Sequence, residues 1–396
     1  MKFATTTIVA VLLVTLAAAQ FTCQTAAPAA YTGTTQMLGW GTNWNGQLGP
    51  QRNTDPIIST PSLMYVSSSK TPRYSKVAGG LQHTLVIEES SGKVFVAGDG
   101  SSAQLGGGIA SVKDKVETFS TWEQVLITKQ PEKFTGKVID IAAGWYTSCV
   151  VAQDKSDATK TTIFCAGRNN RGQLGNSSVK TQISYPVPLE FDNSQLAAGE
   201  HFVKIAAGVD HMVAVTSLNN VFTWGAGDEG ELAQSVNSDS KVPVKVTAFP
   251  PAETITEVQC GFRFCVALSD SNTLFGWGKN DANQLGLGTG DSQEFINTPT
   301  QIATGVTSFS VGGAHTLAII NGALHAFGSG TMGQTGHAKT ISAAMQEEWT
   351  VSKPTAIPAF KDVKVASFGA GMKHSVVLDN CGTVYTFGAE ALGALG

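Results

Sequence analysis

Short apolar segments alternate with polar turns along most of the chain. Six of these segments are rich in β-branched and aromatic residues and too short for helices, and they read VFVAG, IFCAG, VFTWG, LFGWG, LHAFG and VYTFG. Each follows a polar turn, such as Asn321-Gly322, whose residues tolerate tight hairpin geometry. The pattern predicts at least one β-hairpin in every unit. Because nearly all residues of these strands are apolar or small, we expect both faces of each sheet to be covered.

A glycine-rich motif closes these strands and recurs seven times. Its copies include WGTNWNGQLG and WGKNDANQLG, and they lie 50 to 69 residues apart, beginning at Gly41, Gly98, Gly167, Gly225, Gly278, Gly328 and Gly388. A second motif, for example VAGGLQHTLVI, alternates with it in six degenerate copies around His83, Thr147, His211, Phe264, His315 and His374. This period is typical of small antiparallel sheets repeated around a ring. The sequence therefore predicts an all-β propeller that spans residues 38–396 as a single domain.

Composition and charge agree with a tightly turned all-β protein. Of the 396 residues, 14% are charged against about 25% in a typical globular domain, and 43 are glycine. The formal net charge is −4, and no run of five like charges occurs. Because nucleic-acid binders normally carry a basic stripe that displaces counterions from phosphates, direct nucleic-acid binding is disfavoured.

The N-terminus has the pattern of an export signal. Lys2 precedes an apolar stretch from about Ile8 to Ala19, which ends in small residues before Gln20. This pattern predicts a secretory signal peptide over residues 1–19, an N-terminal extension over residues 20–37, and secretion of the protein. The alternative is an apolar tail without a targeting role. No later stretch is apolar for long enough to anchor the chain in a membrane.

Export would expose the six cysteines to oxidation. Cys149 and Cys165 flank one hairpin almost symmetrically, so they could face each other and form a disulfide; two buried thiols are the alternative. Cys260 and Cys265 are interpreted as lying on one strand with their side chains on opposite faces, and hence as unpaired with each other. Cys23 and Cys381 receive no partner. A glycosylation acceptor triplet begins at Asn176.

Neither motif predicts a catalytic, cofactor or metal site. The glycine loops follow strands and do not open helices, which argues against a phosphate site. Their glutamines are expected to bond loop backbone groups, and their leucines to fill the space beneath each turn at positions 48, 105, 174, 232, 285 and 395, with Thr335 as the exception. Histidines at equivalent places of different repeats would be spread around a ring and are expected to bond the neighbouring blade. Distant loops could still converge on a site that the sequence does not reveal.

The two alternating motifs resemble those of the regulator of chromosome condensation repeat family, from Leu38 to Gly396. The resemblance implies a propeller of seven four-stranded blades that binds through loops on its faces. Family functions include nuclear guanine nucleotide exchange, modules of ubiquitin ligases, ultraviolet sensing and inhibition of β-lactamase. Light sensing in the family uses clustered tryptophans, and here the corresponding positions hold Leu81, Trp145, Val209, Phe262, Gly313 and Met372. A single tryptophan in this set disfavours a photoreceptor.

The two motifs differ in number, seven copies against six. We therefore expect seven blades with the last one incomplete, as in a chain cut short by half a repeat. The alternative is a six-bladed ring with a surplus strand. An open propeller would leave apolar faces and strand edges exposed.

The leading hypothesis is a secreted, non-enzymatic scaffold that binds a protein or glycan partner without a cofactor. Aromatic and arginine side chains dominate binding hot spots, and the candidate residues at the channel mouth are Trp145, Tyr146, Phe262, Arg263, Asp210, Met372 and Lys373. A loop over residues 107–136, with Phe119, Trp122 and Phe134, is a second candidate. The aromatics could instead simply cover the mouth.

Two rival functions are weighed. An exchange factor for a small GTPase requires that the N-terminal segment be retained. An exported hydrolase requires carboxylates and histidines clustered on one face, for which Asp210, Asp228 and Glu229 are too few and too scattered in sequence.

Overall fold

The fold is built from antiparallel β-sheets. The computed structural model of the protein describes residues 9–14, 36–49, 56–64, 73–89, 91–106, 116–121, 136–288, 294–337, 340–341, 347–348, 350–390 and 394–395. Within these ranges the helical elements are two 3₁₀ turns, Asn193–Gln195 and Pro358–Phe360. The prediction of an all-β propeller is confirmed.

Six blades carry the repeat, and in each the strands follow one another in sequence order. Blade 1 comprises β4 (Tyr74–Gly79), β5 (His83–Glu88), β6 (Val94–Gly98) and β7 (Val116–Thr121). Blade 2 comprises β8 (Lys137–Ala143), β9 (Thr147–Gln153), β10 (Thr161–Arg168) and β11 (Gln182–Pro188). Blade 3 comprises β12 (Phe202–Ala207), β13 (His211–Thr216), β14 (Val221–Gly225) and β15 (Ser240–Lys245).

The second half of the ring repeats this order. Blade 4 comprises β16 (Ile255–Cys260), β17 (Phe264–Ser269), β18 (Leu274–Lys279) and β19 (Phe295–Ala303). Blade 5 comprises β20 (Val306–Val311), β21 (His315–Ile320), β22 (Ala323–Ser329) and β25 (Thr350–Ala356), with a separate ribbon of β23 (Thr340–Ile341) and β24 (Glu347–Glu348). Blade 6 comprises β26 (Val365–Ala370), β27 (His374–Asp379) and β28 (Val384–Gly388).

The blade count agrees with the six-bladed alternative, and the prediction of seven blades is wrong. The first strand of each blade is innermost, so β4, β8, β12, β16, β20 and β26 surround one central channel. The physical reason is that the inner strand belongs to the second motif, which occurs six times. The additional copy of the glycine-rich motif at Gly41 belongs to a sheet without an inner strand among the described residues.

That sheet, here called the seam sheet, consists of β1 (Val9–Val14), β2 (Gln36–Thr42) and β3 (Ile57–Leu63). Its Trp40 lies in one apolar cluster with Tyr74 of blade 1 and Val376 of blade 6. The Trp40 Nε1 atom donates a hydrogen bond of 3.1 Å to the Ala394 carbonyl. The seam sheet therefore joins the first and last blades. Strand β1 comes from the segment predicted to be a signal peptide.

Apolar faces of adjacent blades pack against each other to form the core. Between blades 1 and 2, for example, Val96 and Leu105 meet Val150. The leucines of the glycine-rich motif lie beneath their turns with 0% exposure for Leu48 and Leu285. Burying one such side chain contributes about 2 kcal/mol. The predicted role is confirmed for five of the six leucines, whereas Leu395 is partly exposed.

The motif glycines are required where a strand reverses into a loop. Gly225 has φ +98°, and a Cβ there would lie 2.3 Å from the Asp210 carbonyl oxygen. In the loop that follows each glycine, the glutamine accepts a backbone hydrogen bond from two residues earlier. The Gln173 Oε1 atom accepts from the Arg171 amide at 2.9 Å, and the same bond recurs at Gln47, Gln104, Gln284 and Gln334. These bonds agree with the expected role of the glutamines.

Two disulfides lie within single blades. Cys149 and Cys165 are directly opposite on β9 and β10 and are bridged, as the symmetry of that hairpin suggested. Cys260 and Cys265 are also bridged, so the expectation that they would not pair is wrong. The chain reverses between them, which places them opposite each other on β16 and β17 rather than on one strand. Cys381 is disulfide-bonded as well.

Candidate functional site

The turns between the first and second strands of the blades meet at one mouth of the channel. Each turn contributes its first residue to the wall of a cavity of about 250 Å³, and these residues are Leu81, Trp145, Val209, Phe262, Gly313 and Met372. All of them are partly exposed or glycine. The structure therefore places the positions proposed from the sequence around a single opening.

Backbone hydrogen bonds link neighbouring turns across the blades. The Trp145 amide donates to the Val209 carbonyl at 3.2 Å, and the Val209 amide donates to the Phe262 carbonyl at 3.0 Å. The Phe262 amide continues the series to Gly313 at 3.0 Å, and the Gly313 amide reaches Gly371 at 3.1 Å. Because each bond fixes one turn against the next, the rim has a defined shape without a ligand.

Aromatic side chains of blades 2 and 4 are in contact at the rim. The rings of Trp145 and Phe262 are 5.5 Å apart at 81°, an edge-to-face arrangement. Tyr146 lies beside Trp145 with 6.4 Å between ring centroids, and the Arg168 guanidinium stands 4.0 Å over the Tyr146 ring. Three of the candidate residues thus form one continuous aromatic surface.

Charged residues continue that surface outward. The Arg263 Nη1 atom lies 2.8 Å from the Glu229 Oε2 atom, and Lys279 bonds the other oxygen of this carboxylate at 2.8 Å. Partial burial disfavours the charge of Arg263, but the Glu229 carboxylate outweighs this effect and the pKa of Arg263 is raised. The guanidinium therefore stays charged and in a fixed position.

A second ion-pair group lies next to the first. Arg171 binds Asp239 at 2.5 Å and Asp228 at 2.8 Å. The sequence suggested that Asp210, Asp228 and Glu229 were too few and too scattered to support a hydrolase. The structure places Asp228 and Glu229 beside Arg171 and Arg263. Their partners are cations, so this is not the carboxylate and histidine cluster that a hydrolase requires. Arg171, Asp228 and Glu229 occupy variable positions of the glycine-rich motif, but the sequence does not show which charges face each other.

The remaining candidates lie around this surface. The Asp210 Oδ1 atom accepts a hydrogen bond of 2.8 Å from Gln173, and burial raises the pKa of Asp210 despite nearby arginines. Met372 lines the cavity on the blade 6 side, and its carbonyl approaches Gly313 so closely that a Cβ on that glycine would lie 2.6 Å away. Lys373 follows on the same turn and is partly exposed. Asp210 thus belongs to the charged group, whereas Met372 and Lys373 lie across the mouth from it.

Two further candidates from the sequence are the loop over residues 107–136 and the glycosylation site at Asn176. In the predicted loop over residues 107–136, residues 116–121 form strand β7, while Trp122 and Phe134 lie outside the described residues. The Asn176 side-chain amide donates a hydrogen bond of 3.0 Å to the Pro188 carbonyl. Glycosylation of Asn176 stays a prediction.

The histidines of the second motif join adjacent blades, as expected. The Nε2 atoms of His83 and His315 lie 2.8 Å from Ser148 Oγ and 2.9 Å from Ser375 Oγ in the following blade. Because the Ser375 hydroxyl donates to the Gln334 carbonyl, His315 must donate through Nε2. Burial lowers the pKa of His83 to about 4 and that of His315 to about 3, so both are neutral near pH 7.

The opposite half of the channel is polar and was not anticipated. A cavity of about 540 Å³ shares Val77 with the first cavity and is also lined by Lys76, Asp140, Lys204 and Glu257. Lys76 and Asp140 form an ion pair across two blades. The other Asp140 oxygen accepts the Ile205 amide at 2.8 Å. These side chains tie inner strands together.

No helix in the described part of the chain is long and apolar enough to cross a membrane.

Solved structures with the same fold include two propellers. Prp20p from Saccharomyces cerevisiae superposes with a TM-score of 0.74 at 22% identity, over 92% of this chain and 83% of Prp20p. Human WBSCR16 superposes with a TM-score of 0.72 at 20% identity, over 91% of each chain. At these identities the likeness concerns the fold alone.

Sequence relatives span larger proteins. The E3 ubiquitin-protein ligase HERC2 of Homo sapiens is 26% identical over 369 residues, which is 92% of this chain and 7% of HERC2. The ultraviolet-B receptor UVR8 of Arabidopsis thaliana is 26% identical over 361 residues, which is 90% of this chain and 73% of UVR8. The chain thus covers only a small part of HERC2.

Repeat signatures place the chain in a family. The regulator of chromosome condensation (RCC1) repeat matches residues 162–215, 219–268, 271–319 and 321–378. A second form of the same repeat matches residues 138–173, 202–231 and 255–284. These matches cover more than half of the sequence. Each match to the first form begins at or just before the third strand of one blade and ends in the second strand of the next blade. The chain belongs to the regulator of chromosome condensation (RCC1) repeat family.

Proposed function

We propose that the protein is a binding scaffold that captures a protein partner at the channel mouth. The observation that carries this proposal is the contact between Trp145 and Phe262 beside the paired Arg263, on a rim fixed by backbone hydrogen bonds. Aromatic and arginine side chains supply most of the energy in protein interfaces, and a rigid surface loses little entropy on binding. Family membership supports a binding role, since the yeast relative in fold, Prp20p, binds Gsp1p and histones.

Alanine substitution tests the surface. Replacement of Trp145 or Arg263 by alanine should weaken partner capture from the extracellular fraction about tenfold or more, as expected for hot-spot residues. Leu218→Ala is the matched control, because Leu218 is 57% exposed in the turn between β13 and β14 on the opposite face. Thermal melts establish that each variant is folded. Unchanged capture by both mouth variants would exclude this face. Capture that survives proteolysis of the partner but not periodate treatment would identify a glycan instead.

Secretion is part of the proposal. It is supported by the apolar stretch after Lys2 and by disulfides such as Cys149–Cys165, which persist in oxidising compartments. N-terminal sequencing of the protein from its natural source should give a start near Gln20. A start at Met1 would contradict secretion and would leave β1 in the seam sheet.

A second candidate is a regulator of a small GTPase. The fold shared with Prp20p, which binds Gsp1p, favours it. It requires a retained N-terminus, so the same sequencing experiment separates it from the secreted scaffold. Acceleration of nucleotide release from a small GTPase by the full chain would support this second candidate.

A further inference from the structure

A cluster of three possible metal ligands lies where blades 3 and 4 meet. The His211 Nε2 atom and the Sγ atoms of Cys260 and Cys265 all lie within 4.8 Å of one another. His211 Nε2 is 3.1 Å from Cys265 Sγ. The ligands come from three different strands, β13, β16 and β17, which is why their spacing in the sequence did not suggest a site.

The cysteines are not needed for the bond that histidines make between blades. At the place of Cys265, blades 2 and 6 have Ser148 and Ser375, and each receives the histidine of the preceding blade. At the place of Cys260, opposite that residue, these blades have Ala143 and Ala370. Blade 4 thus replaces a hydroxyl and a methyl group with two sulfur atoms, directly facing a histidine.

The Cys260–Cys265 and Cys149–Cys165 disulfides differ in how easily a reductant can reach them. Cys260 is partly exposed and lines both halves of the channel, whereas Cys265 is buried behind it. Cys149 and Cys165 are both 0% exposed. Because thiol–disulfide exchange requires that a thiolate reach a sulfur atom, a small dithiol in the channel can attack the first bridge but not the second.

His211 presents a ring nitrogen to the two sulfur atoms. Its Nδ1 atom has no hydrogen-bond partner, and its Nε2 atom faces the sulfur atoms. A neutral imidazole and two thiolates are ligands that Zn²⁺ accepts in tetrahedral sites.

We propose that Cys260, Cys265 and His211 form a Zn²⁺ site once the Cys260–Cys265 disulfide is reduced by a dithiol. The dithiol gives two electrons and two protons to the S–S bond and becomes a disulfide, and the two cysteine thiols then release their protons on binding the ion. Bonds of about 2.3 Å to sulfur and about 2.0 Å to nitrogen separate the sulfur atoms by roughly 3.8 Å. The fourth position faces the channel on the side of Cys260 and is open to water or an added ligand.

Cobalt titration tests the site on the full chain. The protein is reduced with dithiothreitol, freed of it without air, and titrated with Co²⁺ alone. We expect one equivalent to give the visible d–d bands of a tetrahedral ion and a thiolate-to-cobalt charge-transfer band, both removed by one equivalent of Zn²⁺. Mass mapping of alkylated thiols should show that Cys260 and Cys265 are reduced while Cys149 and Cys165 stay bridged.

Cys265→Ser is the decisive variant. It recreates the histidine–serine contact of blades 2 and 6, so it should fold, and a thermal melt establishes this. We expect it, and Cys260→Ser, to bind Co²⁺ at least tenfold more weakly and to lack the tetrahedral spectrum. The same bands in Cys265→Ser would overturn the proposal. The absence of these bands in the reduced wild-type protein would also overturn it. The proposal would fail as well if dithiothreitol reduced the Cys260–Cys265 disulfide only when the protein unfolds.

Discussion

Glu231 stands where five of the other six glycine-rich motifs have glutamine and the motif at Gly388 has Ala394. Its Oε2 atom accepts the Glu229 amide at 2.8 Å, as the glutamines do, but its Oε1 atom is buried without a partner. In Gln173 the corresponding amide group donates to Asp210. Burial, together with the nearby Asp228 charge, raises the pKa of Glu231. One oxygen atom in place of an amide nitrogen thus leaves the Oε1 atom of a buried carboxylate without a donor.

Glu231→Gln should stabilise the protein by about 1–2 kcal/mol at pH 7, because a neutral amide costs less to bury than a carboxylate. The folded state binds the Glu231 proton more tightly than the unfolded state, since its pKa is raised above the ordinary value of 4.5. The advantage of the variant should therefore shrink as the pH falls toward 4.5. Urea unfolding at pH 7 and pH 5 measures both effects. A variant that is equally stable or less stable at pH 7 would contradict this account, and Gln173→Glu should show the opposite sign.

At the scale of the element, the sequence pattern predicted the hairpins. It also predicted the roles of residue types that recur at fixed positions of the repeat. The alternation of apolar strands and polar turns gave the second and third strands of each blade correctly. Cys260 and Cys265 were assigned wrongly because the segment around Phe264 was interpreted as one strand, whereas a turn that begins at Gly261 divides it into β16 and β17. The ion pair of Arg263 with Glu229 was not predictable, since Glu229 reaches it from a loop of the preceding blade and also binds Lys279.

Gly225 and Gly369 offer a matched pair of substitutions at strand ends. Gly225→Ala should destabilise the protein by about 2 kcal/mol or more, because a Cβ at φ +98° would lie 2.3 Å from the Asp210 carbonyl oxygen. Gly369→Ala in β26 should have little effect, since a Cβ there meets nothing within 4 Å. Chemical denaturation of the two variants measures the difference. Equal losses of stability would show that the backbone conformation at Gly225 is not the cause.

At the scale of the whole molecule, the ring arrangement followed from the period of the repeats, but the number of blades did not. Counting one motif gave seven blades, whereas the inner strands that define the ring number six. The seam sheet explains the difference, because β2 carries a motif copy and packs between blades 1 and 6. How such a sheet packs depends on contacts between residues far apart in sequence, which no local pattern encodes.

Trp40→Phe tests how much the hydrogen bond of Trp40 stabilises the seam sheet against blade 6. Trp224 and Trp277 donate from Nε1 to the preceding blade, and Trp40 does the same to the Ala394 carbonyl. Loss of this bond should cost about 1 kcal/mol and should increase hydrogen exchange in β5 and β27, the strands beside the seam. Trp277→Phe is the control: a similar overall loss of stability is expected, with faster exchange confined to blades 3 and 4. If both variants showed faster hydrogen exchange in the same strands, the bond of Trp40 would not act specifically on the seam sheet.

The bond from Trp40 to Ala394 joins residues separated by 354 positions. During synthesis, the nascent chain must therefore expose the apolar side of its first sheets until the segment around Ala394 leaves the ribosome. Contacts of such large sequence separation form slowly, and open sheets attract other unfinished chains in the meantime. Cells that make this protein should consequently depend on chaperones to shield the open end, and growth at lower temperature should increase its soluble yield.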